Sequence, residues 1–279
     1  MKASSVRPPN FTEEDMHIKD KVVVVTGGGN GIGAAMCRRF AKEGAADVIV
    51  SDLDPAAADR VAAEISGRAI ACDVSSEPEV QALVDQTIQQ CGRIDVFCSN
   101  AGITVKGGLE CPNEDWTRMW DVNVMSRLYA ARAVVPKMLE QGNGYLVHTA
   151  SAAGVLTEIG SASYSVTKHA DVALAEWLSV CYGRQGIDVS CVCPLGVTTD
   201  FLDNDDPIHR YLHLHAITAD DVATSVVEGM AEKRFLILPH PEVAEFFSMK
   251  TDDHDRWISG MQRLRQKLTR LASRDKKAA

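Results

Sequence analysis

Short runs of aliphatic and β-branched residues alternate with helical-period segments along most of this chain, and this alternation restricts its fold more than any other pattern. Strands are expected over residues 21–25, 48–50, 69–72, 94–98, 144–149, 187–193 and 235–238. Helices are expected over 31–44, 56–65, 77–91, 162–182 and 219–232, with one or two long helices in 113–140. The first run, Val22-Val23-Val24-Val25, shows no polar alternation, as a strand covered on both faces should. Strands and helices in strict alternation, with short connections, give parallel strands whose crossover helices lie on both faces of one sheet. The expected fold is therefore α/β and doubly wound, on a seven-stranded, mostly parallel sheet. Neither a linker nor a repeat interrupts residues 21–241, read as one domain. Residues 1–20 read as a polar arm and 242–279 as a C-terminal helical extension.

Composition excludes several classes. At 46% apolar and 24% charged residues the chain can bury a core, which argues against wholesale disorder. A formal net charge of −9 argues against a general nucleic-acid binder. No apolar run approaches the roughly 18 residues of a membrane span. The N-terminus lacks the apolar core of a secretory signal, so a cytoplasmic location with reduced cysteines is expected. Cys191 and Cys193 are expected to face opposite sides of a strand and to make a poor zinc clamp; no metal site is expected.

The first strand runs into Thr26-Gly27-Gly28-Gly29-Asn30-Gly31-Ile32-Gly33, which opens the first helix. Glycines there permit a tight turn and let backbone N–H groups approach a pyrophosphate, aided by the helix N-terminus. Gly27, Asn30, Gly31, Ile32 and Gly33 are the candidate phosphate-loop residues of a Rossmann-type dinucleotide site. Asp52 ends the second strand, with Leu53 after it. A carboxylate there accepts hydrogen bonds from ribose hydroxyls and repels an added phosphate, so the expected cofactor is NAD rather than NADP. The alternative is that Asp52 only caps the next helix, a role open to Asp54 as well.

Tyr164 and Lys168 lie four apart on an expected helix and so share a face. A phenol is a poor base at neutral pH, and a nearby ammonium stabilises its phenolate. Tyr164 can then exchange a proton with an alcohol or carbonyl oxygen. Ser151, just after the fifth strand, stands where its hydroxyl can bond the same oxygen.

With these motifs in this order, the chain from about residue 18 to 240 resembles the short-chain dehydrogenases/reductases, in the single-domain subtype with a TGxxxGxG loop and a Tyr-x-x-x-Lys pair. The resemblance implies that Asn123, Ser151, Tyr164 and Lys168 are catalytic: Tyr164 the acid/base, Ser151 orienting the substrate oxygen, Lys168 tuning Tyr164 and holding the nicotinamide ribose, Asn123 keeping a relay water. It implies that Asp73 and Val74 contact adenine and that Asn100, Ala101 and Gly102 line the cofactor. Pro194, Gly196, Val197 and Thr199 would hold the nicotinamide carboxamide, although Leu195 stands where the family often has glycine after proline. It further implies a homodimer or homotetramer, and Trp116, Met119, Trp120 and Leu128 are candidates for its contact.

The expected function is NAD-dependent interconversion of a secondary alcohol and a ketone, on a small-molecule substrate. Residues 199–218 are read as a substrate lid. Phe201, Leu202, Ile208, Tyr211, Leu212 and Leu214 there, with Val155, Leu156 and Ile159, point to a bulky, steroid-like or aromatic substrate. His209, His213 and His215 with the neighbouring aspartates are read as lid chemistry rather than a metal site. Trp257, Ile258, Met261, Leu264, Leu268 and Leu271 recur at helical spacing and either cover a pocket, contact another subunit or pack on the core. The rival reading is a dinucleotide-binding sensor or scaffold without turnover; a dehydratase or epimerase with bound NAD is a weaker one.

Overall fold

The computed structural model describes residues 17–199, 201 and 216–278, with residues 272–278 as backbone only. The strands are β1 (Val22–Thr26), β2 (Asp47–Asp52), β3 (Arg68–Ala71), β4 (Val96–Ser99), β5 (Gly144–Thr149), β6 (Ile187–Val192) and β7 (Leu236–Ile237). They form one seven-stranded sheet in the order β3-β2-β1-β4-β5-β6-β7. All six pairings are parallel, so the sheet is wholly rather than mostly parallel. The chain direction across the sheet reverses between β1 and β4, which leaves a crevice at their carboxyl ends.

The helices among the described residues are α1 (Gly31–Lys42), α2 (Pro55–Ile65), α3 (Glu77–Cys91), α4 (Asn113–Trp120), α5 (Ser126–Gln141), α6 (Ala162–Tyr182), α7 (Ala219–Ala231), α8 (Pro241–Asp252) and α9 (His254–Ala278). Local signals explain several ends. Asp54 accepts from the Ala56 N–H at 3.0 Å and Pro55 opens α2. Thr218 and Asp221 form a reciprocal capping box on α7. Gly142, at φ +79, ends α5 in the left-handed region. The expected helical stretch 113–140 is α4 and α5 joined by a π-helical turn, Asp121–Met125.

The period of two sorts β1 onto two cores. Val24 faces α3, α5 and α6, whereas Val23 and Val25 face α1, α2 and α7. All three are fully buried, each contributing on the order of 1.5–3 kcal/mol. The fourth strand begins at Val96, not at residue 94. Asp95 before it is spent as a bracket: its carboxylate accepts from the Val22 N–H at 2.8 Å and pairs with Arg93. The seventh strand keeps only two residues because just Leu236 and Ile237 pair with β6.

Two expectations fail here. Cys191 and Cys193 do not face opposite sides. Residues two apart on extended chain share a face, and their sulfurs lie 4.0 Å apart in one core. Met119 is fully buried within the chain and has no surface to offer a second subunit; Trp120 beside it is exposed. Among the described residues all cysteines are free and no three or more His, Cys, Asp or Glu are grouped for a metal ion. Nor is any described helix long and apolar enough to cross a membrane. The lid residues 202–215, with their histidines, lie outside the described residues.

Candidate active site

The glycine loop turns directly above β1. Gly27 adopts φ +63, and a Cβ on it would come within 2.8 Å of the Ala101 backbone. Gly33 is tighter still: a Cβ there would sit 2.0 Å from the Gly27 carbonyl oxygen. Gly33 therefore does not line the cleft; it lets α1 press against the loop. Asn30, at the N-cap of α1, makes no side-chain capping bond, and the first turn carries no acidic residue. The first N–H groups of α1 are thus left for an anion.

Asp52 reaches this loop. One carboxylate oxygen accepts from the Gly29 N–H at 2.9 Å and the other from the Asp54 N–H at 3.1 Å. The helix cap itself falls to Asp54, which leaves Asp52 and the exposed Leu53 on the cleft wall. Asp73 and Val74 form the next stretch of wall, Asp73 braced by the Ser75 N–H and hydroxyl. Asn100 ties β4 to β1: its side chain donates to the Thr26 and Gly27 carbonyls at 3.1 and 3.2 Å. The loop, Asp52 and the Asn100-Ala101-Gly102 segment enclose one cleft of about 560 Å³, continuous with Ser151, Tyr164 and Lys168. A hairpin-tight loop, an uncapped helix start and a carboxylate at the far end of β2 fit a dinucleotide lying across the crevice.

Four catalytic candidates converge from three elements. Ser151 follows β5 and caps a short 3₁₀ turn (Ala152–Gly154), accepting from the Ala153 N–H at 3.1 Å. Tyr164 and Lys168 stand one turn apart on α6, the Lys168 Nζ 5.6 Å from the Tyr164 ring centre. Lys168 is buried and donates to the Thr149 carbonyl at 2.9 Å. Asn123 sits in the π turn, fully buried behind Gly102. Its amide oxygen accepts from the Ile103 N–H at 2.9 Å, while its nitrogen donates to the Ile103 carbonyl at 2.9 Å and to Thr167 at 3.2 Å. The side chain of Asn123 thus stitches the cleft floor to α6 rather than facing the cleft.

Electrostatics divide the pair. Burial pushes the Tyr164 phenol above its ordinary range, and the Ser151 hydroxyl opposes the shift. Burial also pulls Lys168 down to about 8, assisted by Arg127 and opposed by Asp171. Below that pH Lys168 carries the charge that favours a phenolate beside it.

The segment after β6 closes the far end. Pro194 accepts from the Ala152 N–H at 2.8 Å, and Val197 pairs with Ile217. Pro194, Val197 and Thr199 line the cleft, whereas Gly196 lies behind it. The Leu195 N–H donates to His240 Nδ1 at 3.1 Å, and His240 Nε2 bonds the Gly196 carbonyl at 3.0 Å. His240 therefore fixes the turn where Leu195 replaces glycine. Phe201 packs on Tyr164, ring centres 5.7 Å apart.

Sequence reasoning missed His240, Arg60 and the groups around Asp171. Arg60 projects from α2 to the Gly29 carbonyl at 3.0 Å and the Asn30 side chain at 3.1 Å, a cation at the loop that its place in mid-helix does not reveal. His240 and Arg60 act, and Arg127 meets Asp171, across long sequence separations that no local spacing marks; only the place of Asp171 one turn beyond Lys168 was legible as a helical spacing.

Comparison with known proteins agrees with this geometry. The family model for short chain dehydrogenases matches residues 21–208. The chain is 34% identical over 253 residues to the 1-deoxy-11-beta-hydroxypentalenate dehydrogenase of Streptomyces exfoliatus, covering 88% of this chain and 92% of that one. It is 38% identical to the meso-2,3-butanediol dehydrogenase of Serratia marcescens, over 66% of this chain and 74% of that one. A short-chain dehydrogenase/reductase from Burkholderia phymatum, solved in complex with NAD, superposes with a TM-score of 0.79 at 30% identity, covering 86% of this chain and 96% of that one. A 7 alpha-hydroxysteroid dehydrogenase solved with NADH and 7-oxo glycochenodeoxycholic acid superposes at 0.73 with 27% identity, over 82% and 96% of the two chains. Matching motifs, sheet order and relatives place the chain in the short-chain dehydrogenase family, the oxidoreductases of alcohols and ketones.

Proposed function

We propose that this chain interconverts a bulky apolar secondary alcohol and its ketone, with NAD as hydride carrier and Tyr164 as the group that moves the proton. The observation that carries the reading is the meeting of Ser151, Tyr164 and Lys168 at one end of the cleft whose other end is the glycine loop and Asp52. NAD, when bound, supplies the hydride acceptor or donor. Ser151 positions the substrate oxygen beside the phenol, and Lys168 keeps positive charge under it. Asn123 spends its side chain on Ile103 and Thr167 and so ties the π turn to the cleft floor and to α6.

Apolar surroundings support the bulky substrate. Phe201 covers Tyr164, and a second cavity of about 720 Å³ shares Ser151 and Leu195 with the cleft. Phe246, Trp257 and Leu264 of α8 and α9 form its far wall. Lys250 anchors α8 there by donating to the Val155 and Leu156 carbonyls at 2.7 and 3.2 Å. Leu156 and Ile159 line this chamber, whereas Val155 is buried in the core beside it. A panel of secondary alcohols graded from small aliphatic to steroid, with NAD, tests the reading by NADH formation. Turnover confined to the bulky members is expected; equal rates on the smallest alcohols would refute the substrate class. NAD binding with no turnover on any member would favour the sensor or scaffold.

Cofactor choice has its own test. Asp52→Ala is expected to lower the NAD/NADP ratio of kcat/KM by about tenfold or more, since the repulsion of a 2′-phosphate goes with the carboxylate. Absolute rates should fall too, because Gly29 loses its acceptor. An unchanged ratio would show that Asp52 serves only the loop.

A homodimer or homotetramer is the assembly proposed. Trp120 on α4 and Val166, Trp177 and Val180 on α6 are exposed apolar residues on the site's own helices. Val180→Asp is expected to shift the light-scattering mass towards the monomer; an unaltered mass would place the contact elsewhere.

A further inference from the structure

Beneath Lys168 lies a cluster of charge that the cleft does not expose. Asp171, one turn further along α6, is fully buried. One of its oxygens bonds His148 Nδ1 of β5 at 2.8 Å; the other lies 3.3 Å from Arg127 Nε of α5 and 3.8 Å from Lys168 Nζ. Arg127 is as deeply buried. Its Nη1 donates to the Val122 carbonyl and to Ser126 Oγ, both at 2.8 Å, and Ser126 Oγ donates to the same carbonyl at 2.6 Å. Val122 belongs to the π turn that carries Asn123. Arg127 Nη2 has no hydrogen-bond partner among the described residues.

Such a cluster is a poor way to stabilise a fold. Removing ions from water costs several kcal/mol each, and an apolar replacement of similar volume is often as stable or better. Its members instead reach every element that bears a catalytic candidate: the π turn with Asn123, the strand three residues before Ser151, and the helix of Tyr164 and Lys168. Lys168 and Arg127 set two cations against the one anion Asp171 next to Tyr164.

We propose that, in the hydride-transfer enzyme described above, Asp171 and Arg127 are positioning residues: a fixed buried ion pair that holds the ammonium of Lys168 beside Tyr164 and locks the π turn carrying Asn123. The groups facing Lys168 are Tyr164 and Asp171 from its own helix, Arg127 from α5, Cys191 of β6 and Cys193 just after it; His148 of β5 bonds Asp171, and Glu158 acts on Tyr164 from the preceding loop. Burial alone would raise Asp171, yet Arg127, His148 and Lys168 outweigh it and hold the carboxyl down at about 2. Asp171 is therefore an anion throughout the neutral range. Asp171 and Arg127 act on Lys168 with opposite sign: Asp171 favours its charged form and Arg127 opposes it.

The test reads Lys168 directly and needs no substrate. Protein labelled at the lysine ε-carbon is titrated by NMR, the Lys168 signal being assigned by its loss in Lys168→Met. Asp171→Asn is expected to lower the Lys168 titration midpoint by about one pH unit or more, and Arg127→Met to raise it by a similar amount. Shifts of opposite sign are not what general loosening gives. Unmoved midpoints in folded variants, or shifts of the same sign, would overturn the proposal. Either single variant strands a buried charge and is liable to unfold. The double variant Arg127→Met/Asp171→Leu removes both ions. It is expected to melt no lower than the parent, yet to lose about tenfold or more in kcat/KM on any alcohol the parent turns over. A folded double variant with parental kcat/KM would overturn the proposal as well. A parent that turns over nothing, while the NMR shifts appear as expected, would refute the oxidoreductase reading and leave the charge coupling standing.

Discussion

Tyr164→Phe is expected to lower kcat for alcohol oxidation by about 10³-fold while NAD affinity stays within about threefold of the parent. The substitution removes one oxygen and keeps the ring that packs on Phe201. Lys168 keeps its bond to the Thr149 carbonyl, and the glycine loop is untouched. Only the proton exchange with the substrate oxygen is lost. Steady-state rates on the alcohol panel, with NAD binding followed by quenching of tryptophan fluorescence, separate the two quantities. A variant with more than about a tenth of the parental rate would remove Tyr164 from the chemistry.

The pH dependence follows from the same pair. Burial keeps the Tyr164 phenol protonated through neutral pH in the cofactor-free protein, the form that donates to a ketone. Alcohol oxidation needs the phenolate and should climb with rising pH. The climb should end at about 8, where Lys168 loses the proton whose charge favours the phenolate. A rate profile of kcat/KM that keeps rising well beyond that point would mean that the Lys168 charge is not required.

Gly33→Ala is expected to abolish NAD binding, with a loss above about 100-fold, because the added methyl meets backbone that cannot yield. The new Cβ would lie 2.0 Å from the Gly27 carbonyl oxygen and 2.6 Å from the Asn100 side-chain nitrogen. Relief requires α1 to move off the loop, which opens the anion-binding turn and costs about 1–3 kcal/mol of stability. Thermal melts in the presence and absence of NAD check this, since a ligand that binds only the folded state raises the melting temperature. Parent protein should show the rise and the variant none. Gly183→Ala is the matched control: a Cβ there meets nothing within 4 Å. Normal NAD stabilisation of Gly33→Ala would show that the loop tolerates displacement and that the close approach is not what holds the cofactor.

Much of this architecture is local in origin. The fully apolar Val22–Val25 run can only be a strand covered on both sides, and glycines between it and a helix can only form a tight turn. Tyr164 and Lys168 share a face because 3.6 residues make a turn. Asp54 caps α2 because an aspartate before a proline has the reach to do so. The Cys191–Cys193 expectation erred on the same local rule, a strand period of two applied with the wrong sign. The fourth and seventh strands came out shorter than expected because apolar character extends beyond the residues that find pairing partners. Met119 looked available to another subunit because helical spacing names a face without saying what lies against it.

Sequence alone determined the elements, the parallel pairing of the strands, the glycine loop and the Tyr164–Lys168 pair, since these rest on periodicity, backbone freedom and spacings of a few residues. Tertiary structure alone decided what surrounds them: Arg60 on the loop, His240 on the turn after Pro194, Asn123 turned to Ile103 and Thr167 by a π turn, and the Arg127–Asp171–His148 cluster under Lys168. These contacts join residues 20 to 45 positions apart, so they exist only once separate elements have packed. The charge that reaches Lys168 depends on burial and distance, and neither quantity exists before the chain is folded.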